Sequence, residues 1–352
     1  MTEVKQAEVK QAEKTPLVWR ATGETVLGAS HLRSSTPNQD SILQMRESGT
    51  TLPLILNVSD GHGSDKCFRS DRGSHFAVEI AAMLVSEFLW RNENIVDSTE
   101  LEKRAKEFLP GEFVKRWRAA VEADLAEKPF LEEEFKKLEE RDGARARKIV
   151  EANPPLAYGA TSLTVLLTDA FILYMQLGDG EILTVSDKGE VKLPLPPDER
   201  LFANETTSLC SEKAASDFRV MVQAISSEPP ALILMTTDGY ANSFSDDEGF
   251  FKVGSDILEM MRADGFDSVG ANVEAWIEEA TRVGSGDDCT LGIICRMDAL
   301  KKQPSEAKET TQTQSSAPPQ SAQETNGASG ETSLAISSSP APPGASPAGS
   351  KT

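Results

Sequence analysis

Short runs of apolar and β-branched residues recur along the middle of the chain, and turn-forming residues separate them. Runs of this length and composition predict buried β-strands. The predicted strands are 19–27, 40–46, 53–59, 162–168, 171–177, 182–186, 190–193, 218–224, 232–236 and 290–296. The turn residues at 187–189 predict a hairpin between the sixth and seventh of these strands.

Apolar residues at helical spacing predict a second set of elements. The predicted helices cover 74–90, 253–263 and 267–282, and a longer helical region covers 99–152. The later part of that region, 131–150, is dense in charge and predicts a solvated helix. Along the chain, the predicted order is strands, then helices, then many strands, then helices and a last strand. This order is not a βαβ alternation. The order therefore predicts an α+β fold of mostly antiparallel sheets with helices on their outer faces.

The two ends of the chain differ in composition from the part between them. Residues 1–15 are polar and contain a direct five-residue repeat, and 300–352 are rich in Ser, Pro, Thr and Ala. Segments with so few large apolar residues cannot bury enough surface to offset their chain entropy. We therefore expect a flexible N-terminal tail (1–15), one folded domain (16–299) and a disordered C-terminal tail (300–352).

The formal net charge of −20 over 352 residues restricts the possible partners. Nucleic acid would be repelled by this charge, so we expect no nucleic-acid partner. No secretory signal and no apolar stretch of membrane-spanning length is visible, so no membrane partner is expected. The four cysteines include no CxxC pair and predict reduced thiols. These features predict a cytoplasmic protein, which we take to be a monomer.

Aspartates mark the ends of several predicted strands. Asp60, Asp179 and Asp238 follow strands, and Asp287 and Asp288 stand directly before the last strand. Carboxylates that converge at the rim of a sheet repel one another unless cations lie between them. Hard divalent cations prefer such oxygen ligands. The pattern predicts a metal-dependent hydrolase.

Six motifs over about 30–296 resemble, in order, those of the metal-dependent type 2C (PPM) Ser/Thr protein phosphatases, with flanking sequence similar to a bacterial-type branch. They are Asn38-Gln39-Asp40, Ser59-Asp60-Gly61-His62-Gly63, Gly159-Ala160-Thr161-Ser162, Gly178-Asp179-Gly180, Thr237-Asp238-Gly239 and Ser285-Gly286-Asp287-Asp288-Cys289-Thr290. The resemblance implies a four-layer αββα sandwich of two mostly antiparallel sheets flanked by helices. It also implies a hydrolase that acts on phosphoserine and phosphothreonine in protein substrates.

The resemblance further implies two Mn²⁺ or Mg²⁺ ions in the domain. By motif position, Asp60 would bridge both ions and the carbonyl of Gly61 would bind one of them. Asp238 and Asp287 would hold the other ion. A third ion is not expected, because the segment 151–158, where bacterial relatives carry a further Asp, contains none.

Two further residues are expected to act in the reaction. By the same resemblance, Asp40 would orient the metal-activated water that attacks phosphorus in line. His62 would protonate the departing Ser or Thr alkoxide, a role that suits an imidazole near its intrinsic pKa. His31 and His75 are expected to serve packing or capping.

Some positions depart from the family pattern. Gln39 stands where many relatives carry Glu, and Ser35 stands where relatives often carry an Arg that binds the substrate phosphate. Arg33, Arg69 and Arg72 are candidates to replace that Arg. The departures leave open an alternative function, a phosphatase-like binding or scaffold module with little catalytic activity. An unrelated calcium-binding protein is disfavoured, because no D-x-D-x-D-G loop is present.

Overall fold

Two five-stranded sheets form the centre of the structure, a computed structural model that describes residues 17–46, 52–196, 206–225 and 228–301. In chain order the strands are β1 (Trp19–Val26), β2 (Ser41–Arg46), β3 (Leu54–Ser59), β4 (Ser162–Leu167), β5 (Phe171–Leu177), β6 (Glu181–Val185), β7 (Val191–Lys192), β8 (Arg219–Ala224), β9 (Leu232–Thr236) and β10 (Cys289–Arg296). One sheet has the order β1-β10-β9-β6-β7 and the other β2-β3-β4-β5-β8. Every pairing between these strands is antiparallel.

Helices cover the outer faces of both sheets. They are α1 (Ala29–Ser34), α2 (Ser70–Arg91), α3 (Ser98–Glu127), α4 (Glu132–Asp142), α5 (Ala144–Ala152), α6 (Ala214–Asp217), α7 (Asp238–Ala241), α8 (Asp247–Asp264), α9 (Phe266–Gly270) and α10 (Val273–Val283). Within the described ranges, no helix combines the length and the apolar character that crossing a lipid bilayer requires.

Side chains of the central strands alternate between two apolar cores, as the pleat of a strand requires. In β3, Leu54, Leu56 and Val58 face the other sheet, whereas Ile55 packs with residues of α2 and α3. A further core lies between the other sheet and α8 and α10. The layers are therefore helices, sheet, sheet and helices, which confirms the predicted αββα sandwich.

The charged region 131–150, predicted as a solvated helix, is instead two helices that each bury one face. α4 buries Phe135 and Leu138, and α5 buries Ala146 and Val150. These few apolar residues fall at i, i+3 and i, i+4 spacing, so each pair lies on one side of its helix. The high charge of the remaining positions hid this stripe in the sequence.

The predicted tails lie almost wholly outside the described residues. Residues 1–15 are not among them, and 300–352 are represented only by their first two positions. The division of the chain into two tails and one domain over 16–299 therefore stays a prediction.

The strand registers bring the ends that carry the acidic motifs to one end of the sandwich. Ser41 pairs with Ser59, so the start of β2 lies beside the end of β3. Leu291 pairs with Thr236, so the start of β10 lies beside the end of β9. The residues just beyond these strand ends are the acidic residues singled out in the sequence.

Candidate metal centre

Asp60 is held at the end of β3 by the segment that leads into β4. Its N–H donates to the hydroxyl of Thr161 at 2.9 Å, and its carbonyl accepts from the N–H of Thr161 at 2.8 Å. These two bonds extend the pairing of β3 and β4 beyond the sheet. The carboxylate of Asp60 is thereby fixed at the rim.

Gly61 is a position that no other residue can occupy without movement of the backbone. A Cβ atom there would lie 2.6 Å from the carbonyl oxygens of both Gln39 and Ser70. Gly61 pairs with Ala160 in an isolated antiparallel bridge. The hydrogen bonds of this bridge are made by the residues before and after Gly61, because Asp60 accepts from Thr161 and His62 donates to Gly159. Among the described residues nothing donates to the carbonyl of Gly61, so that oxygen is available as a ligand.

Asp238 approaches Asp60 from the other sheet. It follows β9 as the first residue of α7, and one of its oxygens accepts from Nδ2 of Asn242 at 3.1 Å. The carboxyl groups of Asp238 and Asp60 lie within hydrogen-bonding distance of each other. Two acidic groups separated by 178 positions in the chain therefore meet across the gap between the sheets.

Asp40 lies beneath these two carboxylates and is almost fully buried. Its Oδ2 accepts from the hydroxyls of Thr237 and Thr290, both at 2.7 Å. The N–H of Asp40 donates to the side-chain oxygen of Asn38 at 3.0 Å. These contacts orient the side chain, and no described residue donates to its second oxygen, Oδ1.

Asp287 and Asp288 take different positions at the start of β10. Asp288 is buried and accepts from the N–H groups of Gly28 at 2.6 Å and Gln39 at 2.7 Å. Its Oδ1 also lies 2.9 Å from Nδ1 of His31. Asp287 is exposed, and its Oδ1 is 3.7 Å from Nε2 of the same imidazole. Asp288 thus anchors the backbone that presents Asp287 at the rim.

His31, which was expected to serve packing or capping, lies beside the acidic residues at the start of β10. A ring nitrogen of His31 and one carboxylate oxygen from each of Asp287 and Asp288 lie within 4.8 Å of one another. No spacing in the sequence connects residue 31 with 287. The sequence offered one hint of this position. His31 lies between β1 and β2, in the same segment as the motif Asn38-Gln39-Asp40.

Burial and mutual repulsion raise the pKa values of the clustered carboxyl groups. Burial, together with the charges of Asp288 and Asp238, raises the pKa of Asp40 to about 8, although the threonine hydroxyls act in the opposite direction. Burial is also the main reason for the raised pKa of Asp60, with repulsion from Asp40 and Asp238 next. Burial again raises the pKa of Asp238, and Asp287 adds to it. The charges acting most strongly on these groups are all negative.

This donor set fits divalent metal ions. Carboxylate oxygens in contact, with a free backbone carbonyl beside them, need either shared protons or cations to be stable at neutral pH. All of the donors are oxygens, which favours hard ions such as Mg²⁺ and Mn²⁺ over ions that prefer sulfur ligands.

We expect the melting temperature of chelator-treated protein to fall as the pH rises from about 6.5 to about 8. The pKa values of Asp40, Asp60 and Asp238 are raised in the folded state, so these groups bind protons on folding. The stability that they contribute is present at low pH and is lost as the pH rises through their folded values. Below about 6.5 the lowered pKa of His62 opposes this trend, because charging a buried imidazole disfavours folding.

Added MnCl₂ should raise the melting temperature more at the upper end of this pH range, because the ions bind only ionised carboxylates. Differential scanning fluorimetry with and without MnCl₂ measures both effects. Potassium chloride at equal ionic strength is the control for general screening. A melting temperature that climbs with pH in the presence of chelator would contradict the argument.

His62 packs against Gly159, directly beside the acidic cluster. The backbone N–H of His62 donates to the carbonyl of Gly159 at 3.0 Å. A Cβ atom on that glycine would lie 2.7 Å from Cδ2 of the imidazole. Burial lowers the pKa of His62, and the charge of Asp179 partly offsets this. The Gly-Ala-Thr motif therefore supports the site by close backbone packing.

Asp179 lies beside the cluster, at the turn that follows β5. Its carboxylate accepts from the hydroxyl of Thr206, and its charge acts on Asp60, His62 and Asp238. A cavity of about 420 Å³ is lined by both Asp179 and Asp238. The expectation of two ions and no third stays a prediction.

Two of the arginines considered as phosphate ligands are engaged elsewhere. Arg69 is buried and binds Glu134 with two hydrogen bonds of 2.8 Å each. Arg72 forms an ion pair with Asp124. Arg33 is exposed on α1, two residues from His31, and so lies on a different side of the helix. Arg69 and Arg72 are therefore committed to contacts with acidic residues outside the carboxylate cluster.

Solved structures similar to this chain include bacterial Ser/Thr phosphatases. The catalytic domain of PstP with two manganese ions is 16% identical, covers 79% of this chain and 98% of its own, and has a TM-score of 0.47. The Mycobacterium tuberculosis phosphatase PstP/Ppp is 17% identical, with coverages of 79% and 99% and a TM-score of 0.46. Stp1 from Staphylococcus aureus is 14% identical, with coverages of 81% and 98% and a TM-score of 0.48. No curated protein matches the chain.

A sequence profile of the family described as protein phosphatase 2C matches residues 27–279. The match includes Asp40, Asp60 and Asp238 and ends before Asp287. It covers well over half of the chain and agrees with the two-sheet architecture and with the motifs at the strand ends. The chain belongs to the protein phosphatase 2C family.

Proposed function

We propose that the chain is a protein phosphatase that depends on Mn²⁺ or Mg²⁺ and hydrolyses phosphoserine and phosphothreonine in cytoplasmic proteins. The observation that carries this proposal is the contact between Asp60 and Asp238, from opposite sheets, with Asp40 beneath them. Membership of the family supports the same reaction. We further propose that the enzyme acts as a monomer and binds neither nucleic acid nor membranes.

In this proposal Asp60, Asp238, Asp287 and the carbonyl of Gly61 hold two divalent ions. When bound, such ions lower the pKa of water and neutralise the charge that develops on the phosphoryl group. The protein residues supply a rigid frame for this chemistry, since Asp60 is fixed by strand pairing and Gly61 by close contact with its neighbours. Phosphate-monoester hydrolysis needs a very large reduction of its barrier, so this rigidity matters.

Asp40 is proposed to orient the attacking water. The hydroxyls of Thr237 and Thr290 hold Oδ2, which leaves Oδ1 to accept a hydrogen bond.

His62 is proposed to carry the proton that the departing alkoxide takes up. Its packing against Gly159 limits the rotation of the imidazole. Its lowered pKa makes the protonated form a stronger acid, which favours donation to an alkoxide of high basicity.

The full chain is expected to hydrolyse p-nitrophenyl phosphate with MnCl₂ and to lose this activity in the presence of a chelator. A serine-phosphorylated peptide tests the proposed substrate class in the same assay. If MnCl₂ raises the melting temperature but neither compound is turned over with any divalent metal, the chain is a metal-binding scaffold and the proposal is wrong. The engagement of Arg69 and Arg72 in other contacts is the observation that keeps this alternative open.

A further inference from the structure

A cavity of about 410 Å³ adjoins the candidate metal centre. It lies between α1, the loop that follows β3, and α4, and its volume is in the range typical of ligand sites, roughly 300–1,000 Å³. His31 and Gln39 line one side of it. Both residues also contact Asp288, so the cavity opens directly beside the acidic cluster.

Helix α4 forms the opposite wall. Glu134, Lys137, Leu138 and Arg141 line the cavity, at positions i, i+3, i+4 and i+7 of one helical face. Lys136 lies between them in sequence but is exposed on another side of the helix. The family resemblance does not assign any function to these residues.

The position of α4 is fixed by the buried side chain of Arg69. In addition to its two bonds to Glu134, the guanidinium donates to the carbonyls of Lys128 at 2.7 Å and Pro129 at 3.0 Å. It also lies 4.7 Å from the ring of Phe130. The helix therefore presents its cavity-facing side chains from a rigid support.

Among the described residues, the charges around this cavity leave the ammonium group of Lys137 without an ion-pair partner. Of the carboxylates that line it, Asp65 pairs with Arg141 at 2.6 Å and Glu134 pairs with Arg69. No carboxylate among the described residues lies within ion-pair distance of Lys137. In a chain with a net charge of −20, Lys137 therefore offers an ammonium group that can pair with an anionic group of a ligand. The guanidinium of Arg141 also keeps donors beyond the single one that Asp65 takes.

We propose that this cavity binds the peptide segment next to the phosphorylated residue of the substrate, and that Lys137, with Arg141, selects acidic side chains there. The inference rests on the proposed function and adds a substrate preference to it. Charge complementarity favours a carboxylate as the occupant, and the adjoining metal centre would take the phosphoryl group. Lys137 is therefore a residue that determines specificity rather than one that acts on phosphorus.

The test compares two phosphoserine peptides that differ only in their flanking residues, Glu in one and Gln in the other. With the full chain, we expect kcat/KM to be about fivefold higher for the Glu peptide, mainly through KM, as for an exposed ion pair. Lys137→Ala should bring this ratio close to one, and Lys137→Glu should invert it. Lys136→Ala is the matched control on the same helix and should keep the ratio. High salt should reduce the preference of the wild-type protein.

Binding separates this inference from the proposed function. Fluorescence anisotropy of labelled peptides with chelator-treated protein measures the preference without turnover, and the same effects of Lys137→Ala and Lys136→Ala are expected. Equal binding of both peptides, or an equal loss in both variants, would overturn the inference while hydrolysis of p-nitrophenyl phosphate still supported the function. A Lys137-dependent preference without any turnover would retain the cavity as a peptide site and reject the phosphatase.

Discussion

Asp238→Ala is expected to lower kcat/KM for p-nitrophenyl phosphate in the presence of MnCl₂ by about 1000-fold or more, which corresponds to about 4 kcal/mol in the barrier. The substitution removes the carboxylate that meets Asp60 across the two sheets. It should also abolish the rise in melting temperature that MnCl₂ causes. In chelator, the variant should melt at a higher temperature than wild type, because it lacks one of the repelling buried carboxyl groups.

Asp169→Ala is the control for this substitution. Asp169 is exposed and follows β4 at the end opposite to the one that lies beside Asp60. Its replacement should change neither activity nor the response to MnCl₂. If Asp238→Ala kept substantial activity, or still gained stability from MnCl₂ as the wild type does, the assignment of Asp238 as a metal ligand would be wrong.

Gly73→Ala is expected to destabilise the protein by about 3 kcal/mol or more, or about 10 °C in melting temperature. Gly73 lies within α2, and a Cβ atom there would overlap the carbonyl oxygen of Tyr158. Neither partner can move easily, because the carbonyl of Gly73 accepts from Nε1 of Trp117 at 2.9 Å and the hydroxyl of Tyr158 donates to Asp124 at 2.6 Å. Thermal and urea unfolding measure the loss.

Gly111→Ala provides a matched comparison within a second helix. Gly111 lies in the interior of α3, and a Cβ atom there would meet no atom within 4 Å. The same substitution should therefore stabilise the protein by about 0.5–1 kcal/mol, because alanine is the better helix former. A stabilising effect in both variants would show that helix propensity, and not the contact with Tyr158, determines the result.

The strands were largely predictable because the core demands a simple pattern. A strand such as β9, between a second sheet and a layer of helices, must be apolar on both faces, and four of its five residues are. The bounds of the predicted strands differ from those of the observed strands by no more than one residue at either end. Short helices such as α1 and α7 were not predicted, because four to six residues are too few to show a helical period.

The acidic part of the site was also accessible from sequence. Asp60 and Asp238 stand where an apolar run meets a glycine, and the end of a strand is a place where a side chain can be both rigid and at the rim. The role of Asp288 as an anchor was not predictable, since its partners Gly28 and Gln39 lie about 250 positions away in the chain. The same separation hid the contact of His31 with Asp287.

The amino-acid sequence alone thus determined the class of fold, the order of its elements and the kind of chemistry, because periodicity and strand-end motifs are local properties. Only the tertiary structure decided which carboxylates lie together, that Arg69 holds a helix, and that Lys137 lines the cavity beside the candidate metal centre. These facts depend on distances between segments far apart in the chain. Such distances are set by packing of whole layers against one another, which leaves no local trace in the residues themselves.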